Sequence, residues 1–300
     1  MAIPESQLET WSHQGSITQS ADTYASIKSA LEDSAAPQSS RDFKVFLQGS
    51  YGNNTNIYAE SDVDVVIRYD GAFFHDVDQL PADQQTAFHA AYPTGGSYSY
   101  STFRQEVQTA LETAFGDSVK PGKKAIKVLA DGSRRSADVI VAFQFRRYHK
   151  FNGQSDESHE TGMCFFTSDK NIRVANYPKQ HSENCTTKHG ATSKNFKPVV
   201  RIFKNMRSKL VEESVIAAGV APSYYIEGLL YNVPKEQFIG TTYGEIVLNI
   251  LRWLHVTTDR TKFVCANEQY YLLRDGYETC WPIANGNQFI QEVVRLWDNW

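Results

Sequence analysis

Two aspartates stand inside an apolar, β-branched run, and this alternation constrains the fold more than any other part of the chain. The segment reads SDVDVVIRY, in which Asp62 and Asp64 alternate with valines. Successive side chains of a strand point to opposite faces, so a strand here places both carboxylates on one side and the valines in the core. A solvated strand end is the ordinary interpretation of such a pair. Two carboxylates this close repel each other unless a cation lies between them, and oxygen ligands of this kind suit Mg²⁺.

The residues around this strand strengthen the interpretation as a metal and phosphate site. A strand is predicted over FKVFLQ (43–48), and it leads into Gly49 and Ser50, which let the backbone approach a ligand and hold a phosphate. Asp138 lies at the start of a later apolar run, ADVIVAF, and the preceding KKAIKVLA predicts a hairpin or an adjacent strand. A third carboxylate on an adjacent strand would complete a two-metal site for in-line displacement at a triphosphate.

Composition places the chain among ordinary globular proteins. It has 300 residues, of which 41% are apolar and 21% charged, and its net charge of −4 gives no reason to expect nucleic acid as a main partner. No run of about 18 apolar residues and no signal-peptide pattern is present, so no membrane partner is expected. The four cysteines form no CxxC pair, which is typical of free thiols in a reducing cytoplasm.

The chain changes character towards its C-terminal third. Helices are predicted in ESQLETWSHQ, ADTYASIKSALEDS and TFRQEVQTALETAF, and strands in GMCFFTS and NIRVAN. Residues 149–160 and the basic segment YPKQHSENCTTKHGATSKNF are predicted to be loops, and the segments beyond residue 196 helices. We therefore expect an α+β catalytic core over residues 1–185, with an N-terminal helix along it, and a helical domain over residues 186–300.

Several segments together resemble one enzyme family. LQGSYGNNTNI, SDVDVVI and ADVIVAF resemble the polymerase β-like nucleotidyltransferases, and within them the cGAS/DncV-like nucleotidyltransferases of bacterial anti-phage (CBASS) systems. PESQLETWSHQGS, NYPKQH, KPVVRIFKN and PSYYIEGLLYNVP are similar to clade E of that family, in the same order and at similar spacing. The resemblance covers nearly the whole chain. It implies a core sheet with helices, and a C-terminal helical domain that completes the nucleotide pocket.

The resemblance also implies roles for individual residues. The three aspartates, Asp62, Asp64 and Asp138, would be catalytic and would bind two Mg²⁺ ions, for which Mn²⁺ could substitute, and Asp138 would help to activate the attacking hydroxyl. The remaining residues would bind nucleotide: Gln48, Gly49 and Ser50 as the phosphate-holding turn, Lys204 and Ser223 on phosphates, Tyr224 stacked on the donor base, and Asn176 as the residue that selects uracil.

Each of these last roles has a simpler alternative that the residues alone would favour. Lys204 reads as a solvated helix lysine, Tyr224 as a packing aromatic, and Asn176 as a turn residue before Tyr-Pro. A zinc site built from His181, Cys185 and His189 is not expected, because structural zinc needs four closely placed ligands and only one cysteine is present locally.

The implied activity is template-independent synthesis of a cyclic dinucleotide. Two NTPs would be joined through 3′–5′ bonds with release of pyrophosphate, from UTP with ATP or from UTP alone, to give cyclic UMP-AMP or cyclic di-UMP. The product would act as an anti-phage second messenger on a separate effector. Two alternatives stay open: a nucleotidyltransferase with an external acceptor, such as RNA, tRNA or an antibiotic, and a catalytically silent nucleotide sensor, against which the presence of all three aspartates argues.

Overall fold

The computed structural model describes residues 3–15, 18–58 and 62–300, which form two compact units. We call Thr18–Gln48 with Asp62–Tyr177 the sheet unit, and Met1–Ile17, Gly49–Ser61 and Pro178–Trp300 the helical unit. The chain was expected to divide at residue 185, but that residue lies inside a helix. The N-terminal helix, expected to belong to the catalytic core, lies in the helical unit because Leu8 is buried in the same apolar core as the C-terminal helices.

The sheet unit contains a mixed sheet flanked by helices. Its strands are β1 (Phe43–Leu47), β2 (Val63–Asp76), β3 (Val119–Pro121), β4 (Ile126–Val128), β5 (Ala137–Phe151), β6 (Glu157–Phe166) and β7 (Arg173–Asn176), and its helices are α2 (Thr18–Leu31), α4 (Ala82–Ala91) and α5 (Tyr100–Phe115), with a 3₁₀ turn at Gly116–Ser118.

The helical unit is built almost entirely from helices. They are α1 (Glu5–Ser12), the short α3 (Gly49–Gly52), α6 (Pro178–Ala191), α7 (Phe196–Glu212), α8 (Ser223–Asn232), α9 (Tyr243–Val256) and α10 (Ile283–Asn299), with a 3₁₀ turn at Lys235–Phe238. The residues Val199, Phe203, Met206 and Leu210 of α7 follow helical spacing and are all buried, so α7 lies at the centre of this core.

The two longest strands, β2 and β5, lie side by side at the centre of the sheet. They run parallel, whereas every other pairing among the described strands is antiparallel: β1 with β2, β4 with β5, β3 with β4, β5 with β6, and β6 with β7. Val65 and Val139, from the β-branched runs of β2 and β5, are paired and have no exposed surface. The predicted α+β class with a central sheet and a C-terminal helical domain is confirmed.

Both predicted loops are wrong for most of their length. Strand β5 continues to Phe151 and β6 begins at Glu157, so only a short turn separates two long strands. The basic segment forms α6, in which only His181 and Cys185 are buried. A helix that buries one histidine and one cysteine has no apolar stripe, and the hydrophobic pattern that identifies helices is therefore missing.

The remaining predicted helices and strands are present with small changes at their ends. Strand β2 begins at Val63, directly after Asp62, and extends beyond the predicted segment to Asp76. KKAIKVLA and SADVIVAFQF pair as the antiparallel strands β4 and β5, as expected. Among the described residues, no helix is both long and apolar enough to cross a membrane.

Candidate active site

Two of the predicted metal ligands lie opposite each other on the central strands. Asp64 of β2 pairs with Asp138 of β5 in parallel register, and Val63 pairs with Ala137 one position earlier. Directly paired residues of neighbouring strands point to the same face of a sheet, so the carboxylates of Asp64 and Asp138 share one face. Asp62 lies one residue before β2 and is half-buried, as Asp64 and Asp138 are. The sheet therefore brings the three predicted acids together at one end of the central strands β2 and β5.

A lysine that the sequence analysis did not identify lies next to Asp138, on the neighbouring strand. Lys127 of β4 pairs with Asp138 on the side away from Asp64, so the three residues cross three adjacent strands. Its ammonium donates a hydrogen bond to Asp62 Oδ2 at 2.7 Å. That hydrogen bond raises the pKa of Lys127, and the charges of Asp62, Asp138 and Asp64 add to it. We call these four residues the acidic centre.

Burial is the main cause of an unusual pKa at Asp138. It raises the pKa of this carboxyl above its ordinary value, the charge of Lys127 opposes the rise, and the charge of Asp62 adds to it. The carboxylates of the acidic centre therefore repel one another, as the effect of Asp62 on the pKa of Asp138 indicates. An added cation would relieve this repulsion.

The acidic centre fits a divalent metal by the chemistry of its donors. Its carboxylate oxygens come from adjacent positions on rigid strands, and Mg²⁺ prefers oxygen ligands of this type, usually completed by substrate phosphates. The only cation among its residues, Lys127, is 40% exposed at its side chain. It could move away from Asp62 without leaving a buried charge behind, so Asp62, Asp64 and Asp138 are the residues that would hold the ion.

Gln48, Gly49 and Ser50 form a tight turn that follows β1. The backbone N–H of Gln48 donates to the carbonyl of Asp64 at 3.1 Å, within the sheet unit. Gly49 has φ of 68°, a left-handed conformation that glycine adopts without strain, and it begins α3 in the helical unit. The turn is present where the sequence predicts one, and its contact with phosphate stays a prediction.

Asn176 lies at the end of β7 in the sheet unit. Its amide oxygen accepts a hydrogen bond from the backbone N–H of Tyr177 at 2.8 Å, and its side chain is half-buried. The oxygen thus has one local hydrogen bond, and the amide NH₂ group is a donor that could contact a base. The base-selecting role stays a prediction.

Lys204 is fully buried, not solvated. Its ammonium donates to Glu227 Oε1 at 2.9 Å, to the carbonyl of Thr55 at 3.1 Å and to Thr55 Oγ1 at 3.2 Å, all within the helical unit. Three acceptors match its three N–H donors, so a contact with a donor phosphate would require one of these bonds to be exchanged. The interpretation of Lys204 as a surface lysine is wrong, and the phosphate contact stays a prediction.

Ser223 and Tyr224 lie in the first turn of α8 and are half-buried. The ring of Tyr224 stacks on the ring of His181 with centroids 4.8 Å apart and planes 25° apart. Its hydroxyl accepts a hydrogen bond from Asn267 Nδ2 at 2.9 Å, and burial raises its pKa well above the ordinary value. Tyr224 thus has a fixed orientation, as a base-stacking ring requires, although no described contact tests that role.

The histidine and cysteine considered for zinc do lie together, but with a different third residue. Ligand atoms of His181, Cys185 and Glu227 lie within 4.8 Å of one another, all buried. His181 Nε2 is 2.6 Å from Glu227 Oε2, which is a direct hydrogen bond and leaves no room for an ion between them. Zinc holds its ligand atoms at about 2.0–2.1 Å each, which separates them further. We interpret His181 and Glu227 as a hydrogen-bonded pair with Cys185 packed nearby.

Glu227 is the second residue that the sequence analysis missed. It lies in the apolar segment PSYYIEGLLYNV. An acidic residue within such a predicted helix is the signal that could have identified it. Lys127 gave a weaker signal, because a lysine at alternate positions of a short strand looks like an ordinary solvent-facing residue.

Comparisons with known proteins relate the chain to one enzyme family. Residues 183–298 match the family model of the cGAS/DncV-like nucleotidyltransferase C-terminal helical domain. A cyclic UMP-AMP synthase of Rhodothermus marinus is 37% identical over 100% of this chain and 99% of its own length. A cyclic dipyrimidine nucleotide synthase, CdnE, of Legionella pneumophila is 32% identical over 95% of each chain.

A solved structure extends the similarity to three dimensions. The Rhodothermus marinus CdnE c-UMP-AMP synthase, solved with Apcpp and Upnpp, superimposes with a TM-score of 0.87 at 36% identity. The match covers 99% of this chain and 97% of the other. The similarity therefore includes both units.

Proposed function

This chain belongs to the cGAS/DncV-like nucleotidyltransferase family, in clade E, and from that premise we propose that it joins two NTPs into a cyclic dinucleotide. One observation carries the proposal: Asp64 and Asp138 are paired across the two central strands, with Asp62 beside them. A nucleotidyltransferase needs carboxylates in this arrangement because they hold the metal ions that would stabilise the negative charge developing on the attacking and leaving oxygens.

The residues of the acidic centre would divide the work. Asp62 and Asp64, with Asp138, would hold two Mg²⁺ ions, and nucleotidyltransferases of this family generally depend on divalent metal. Bound ions would neutralise the triphosphate and lower the pKa of the attacking 3′-hydroxyl. Asp138, paired with Asp64 across the two central strands, would help to activate that hydroxyl as one of the metal-binding carboxylates.

The nucleotide-binding residues would hold the donor NTP, whose α-phosphate is the group transferred. The Gly49–Ser50 turn would hold the donor phosphates, and Tyr224 would stack on its base, with a gain of about 1–3 kcal/mol per stacked base. The same site would act twice: the first transfer releases pyrophosphate and gives a linear dinucleotide, and the second closes the ring.

UTP is the substrate that we propose first, with ATP or a second UTP as its partner. The amide NH₂ of Asn176 could donate to a carbonyl of uracil, an acceptor that adenine lacks on its Watson–Crick edge at the equivalent position. The names of the relatives support a cyclic dinucleotide but differ in product, one being a cyclic UMP-AMP synthase and another a cyclic dipyrimidine synthase. The choice of bases therefore depends on the pocket of each enzyme.

We place the enzyme in the cytoplasm, as part of an anti-phage signalling system. Its substrates, NTPs, are abundant there, and the four cysteines are free and buried, which suits a reducing compartment. The product would act on a separate effector, so a stable protein complex is not needed for the signal to pass.

Product analysis tests the proposal. The purified protein is incubated with the four NTPs and Mg²⁺, treated with alkaline phosphatase and examined by mass spectrometry. A phosphatase-resistant dinucleotide that contains uracil is expected. If the protein instead modifies only an added RNA or antibiotic, the alternative with an external acceptor is correct.

A variant separates catalysis from silent nucleotide binding. Asp62→Asn/Asp64→Asn should abolish pyrophosphate release, whereas Asp117→Asn, an exposed acid outside the acidic centre, should leave it intact. Equal pyrophosphate release from the wild type and the double variant would mean that another site, or a contaminant, carries the activity.

A further inference from the structure

A single buried carboxylate connects two parts of the helical unit that the proposed function assigns to the donor nucleotide. Glu227 of α8 is 2% exposed and accepts four hydrogen bonds from side chains. The donors are Asn53 Nδ2 at 2.9 Å, Thr55 Oγ1 at 2.5 Å, His181 Nε2 at 2.6 Å and Lys204 Nζ at 2.9 Å. They come from the segment after α3, from α6 and from α7.

The charge of Glu227 is maintained in spite of complete burial. Burial on its own would raise the pKa of this carboxyl, but Lys204 and His181 together hold it well below the ordinary value of a glutamate. A buried ion pair is seldom the most stable solution, because an apolar replacement of similar volume is often as stable or more so. The presence of this ion pair therefore favours a role in fixing the positions of the residues that are bonded to Glu227.

Two of the four donors lead directly to the Gly49–Ser50 turn. The backbone N–H of Asn53 donates to the carbonyl of Gly49 at 3.1 Å, and that of Thr55 donates to the carbonyl of Ser50 at 2.9 Å. Asn53 and Thr55 are 6% and 0% exposed, so both are largely shielded from water. Each of these two residues is hydrogen-bonded to the turn through its backbone N–H and to Glu227 through its side chain.

A third donor leads to the stacking ring. His181, held by Glu227 at 2.6 Å, presents its ring to Tyr224 at a centroid distance of 4.8 Å. Tyr224 lies three residues before Glu227, on the same face of α8. One carboxylate therefore fixes both the turn and the aromatic ring.

We propose that Glu227 is a positioning residue for the donor NTP, which sets the geometry between the phosphate-holding turn and the base-stacking Tyr224. The inference rests on the proposed function, because it takes these two features as the donor site. It assigns Lys204 a structural part in the same network, as the counter-charge of Glu227 and a second support for Thr55.

Nucleotide affinity tests the proposal independently of catalysis. The double variant Glu227→Gln/Lys204→Met removes both buried charges and avoids an unpaired ammonium, so it should fold. Binding of Apcpp, an ATP analogue, is measured by calorimetry at a temperature well below the unfolding midpoint of each protein. We expect the Kd to rise at least 10-fold, and we expect Glu227→Asp to recover part of the loss.

A matched pair of threonine variants isolates the contribution of the turn. Thr55→Val removes the hydroxyl that bonds to Glu227 and Lys204, and Thr192→Val removes a buried hydroxyl of the same unit that bonds instead to α6 carbonyls and to the N–H of Phe196. We expect a several-fold rise in the Kd of Apcpp for Thr55→Val and no change for Thr192→Val. Equal affinity in the wild type, Thr55→Val and the double variant would overturn the inference and make Glu227 a purely structural residue.

The experiment distinguishes this outcome from failure of the proposed function. A wild-type protein that binds Apcpp and makes a cyclic product, with unchanged affinity in the variants, contradicts only the inference. A wild-type protein that neither binds Apcpp nor makes a cyclic product contradicts the proposed function, and with it the inference.

Discussion

The ammonium of Lys127 lies 2.7 Å from a carboxylate oxygen of Asp62, and its strand position is paired with Asp138. It thus supplies positive charge at the position where the proposed function requires a divalent ion. Both side chains of the pair are partly exposed, so solvent screens the interaction and its contribution to stability is modest.

Removal of this ammonium should make the protein more dependent on metal. Lys127→Met removes an ammonium that is hydrogen-bonded to Asp62 beside two further carboxylates, so we expect the metal-free protein to lose about 0.2–1 kcal/mol of unfolding free energy. Added Mg²⁺ or Mn²⁺ should raise its Tm more than that of the wild type. Thermal unfolding with and without metal measures both effects, and Lys120→Met, which removes an exposed lysine from β3, serves as the control. An identical rise in Tm for all three proteins would show that Lys127 does not compete with metal.

The turn that begins α3 should be destabilised when glycine at position 49 is replaced by alanine. Gly49→Ala places a Cβ on a residue with φ of 68°, which costs roughly 1–2 kcal/mol of unfolding free energy, and it should also raise the KM for NTP by distorting the turn. Denaturation by urea and steady-state pyrophosphate release measure the two effects. Gly95→Ala is the control, because a Cβ there meets nothing within 4 Å. Wild-type stability of Gly49→Ala would contradict the backbone geometry described here.

Base choice should change when the amide of Asn176 is replaced. Asn176→Ser removes the NH₂ group that could donate to uracil, so we expect the fraction of uracil in the product to fall and that of adenine to rise. Mass spectrometry of the products from an equimolar mixture of four NTPs gives the ratio. Total turnover should change less than the ratio, because Asn176 is not part of the acidic centre. An unchanged product spectrum would remove Asn176 from base selection and leave the catalytic residues unaffected.

Acid stability should depend on Glu227. Its pKa is lowered on folding, so it contributes stability that is fully present above the ordinary glutamate value of 4.5 and is lost as the pH falls towards the lowered folded value. Wild-type unfolding free energy should therefore fall as the pH drops below about 4.5. Its decline should be steeper than that of Glu227→Gln/Lys204→Met, in which this carboxyl is absent.

A matched exposed glutamate provides the comparison for this pH profile. Glu183→Gln, on α6, removes a carboxyl whose side chain is 62% exposed, and its profile should follow that of the wild type. Parallel profiles for the wild type and the double variant would show that the pKa of Glu227 does not change on folding. Chemical denaturation at a series of pH values measures all three proteins.

The sequence was sufficient to predict the parts of the site that lie on regular strands. Asp62 and Asp64 alternate with valines, and a strand orients alternate residues to one face, so their common face followed from the pattern. The family resemblance implied that Asp138 belongs with them, and residue spacing alone did not pair it with Asp64.

The parts that the sequence did not predict depend on partners far away in the chain. Helix α6 lacks an apolar stripe, since its buried residues, His181 and Cys185, are held by contacts with other helices. The four hydrogen bonds of Glu227 can be recognised only from the fold, because one donor, Thr55, lies some 170 residues earlier in the chain and 2.5 Å away in space. Local patterns carry no information about such contacts.

The division into units has a practical consequence for exchanging parts between relatives. The chain passes from one unit to the other after residues 17, 48, 61 and 177, so the helical unit is not one continuous piece of sequence. A chimaera joined at residue 178 would receive Glu227 and Lys204 but not its own Asn53 and Thr55, and its buried charges would depend on whatever residues the other parent supplied. To transplant this unit intact, three pieces of chain must be moved together.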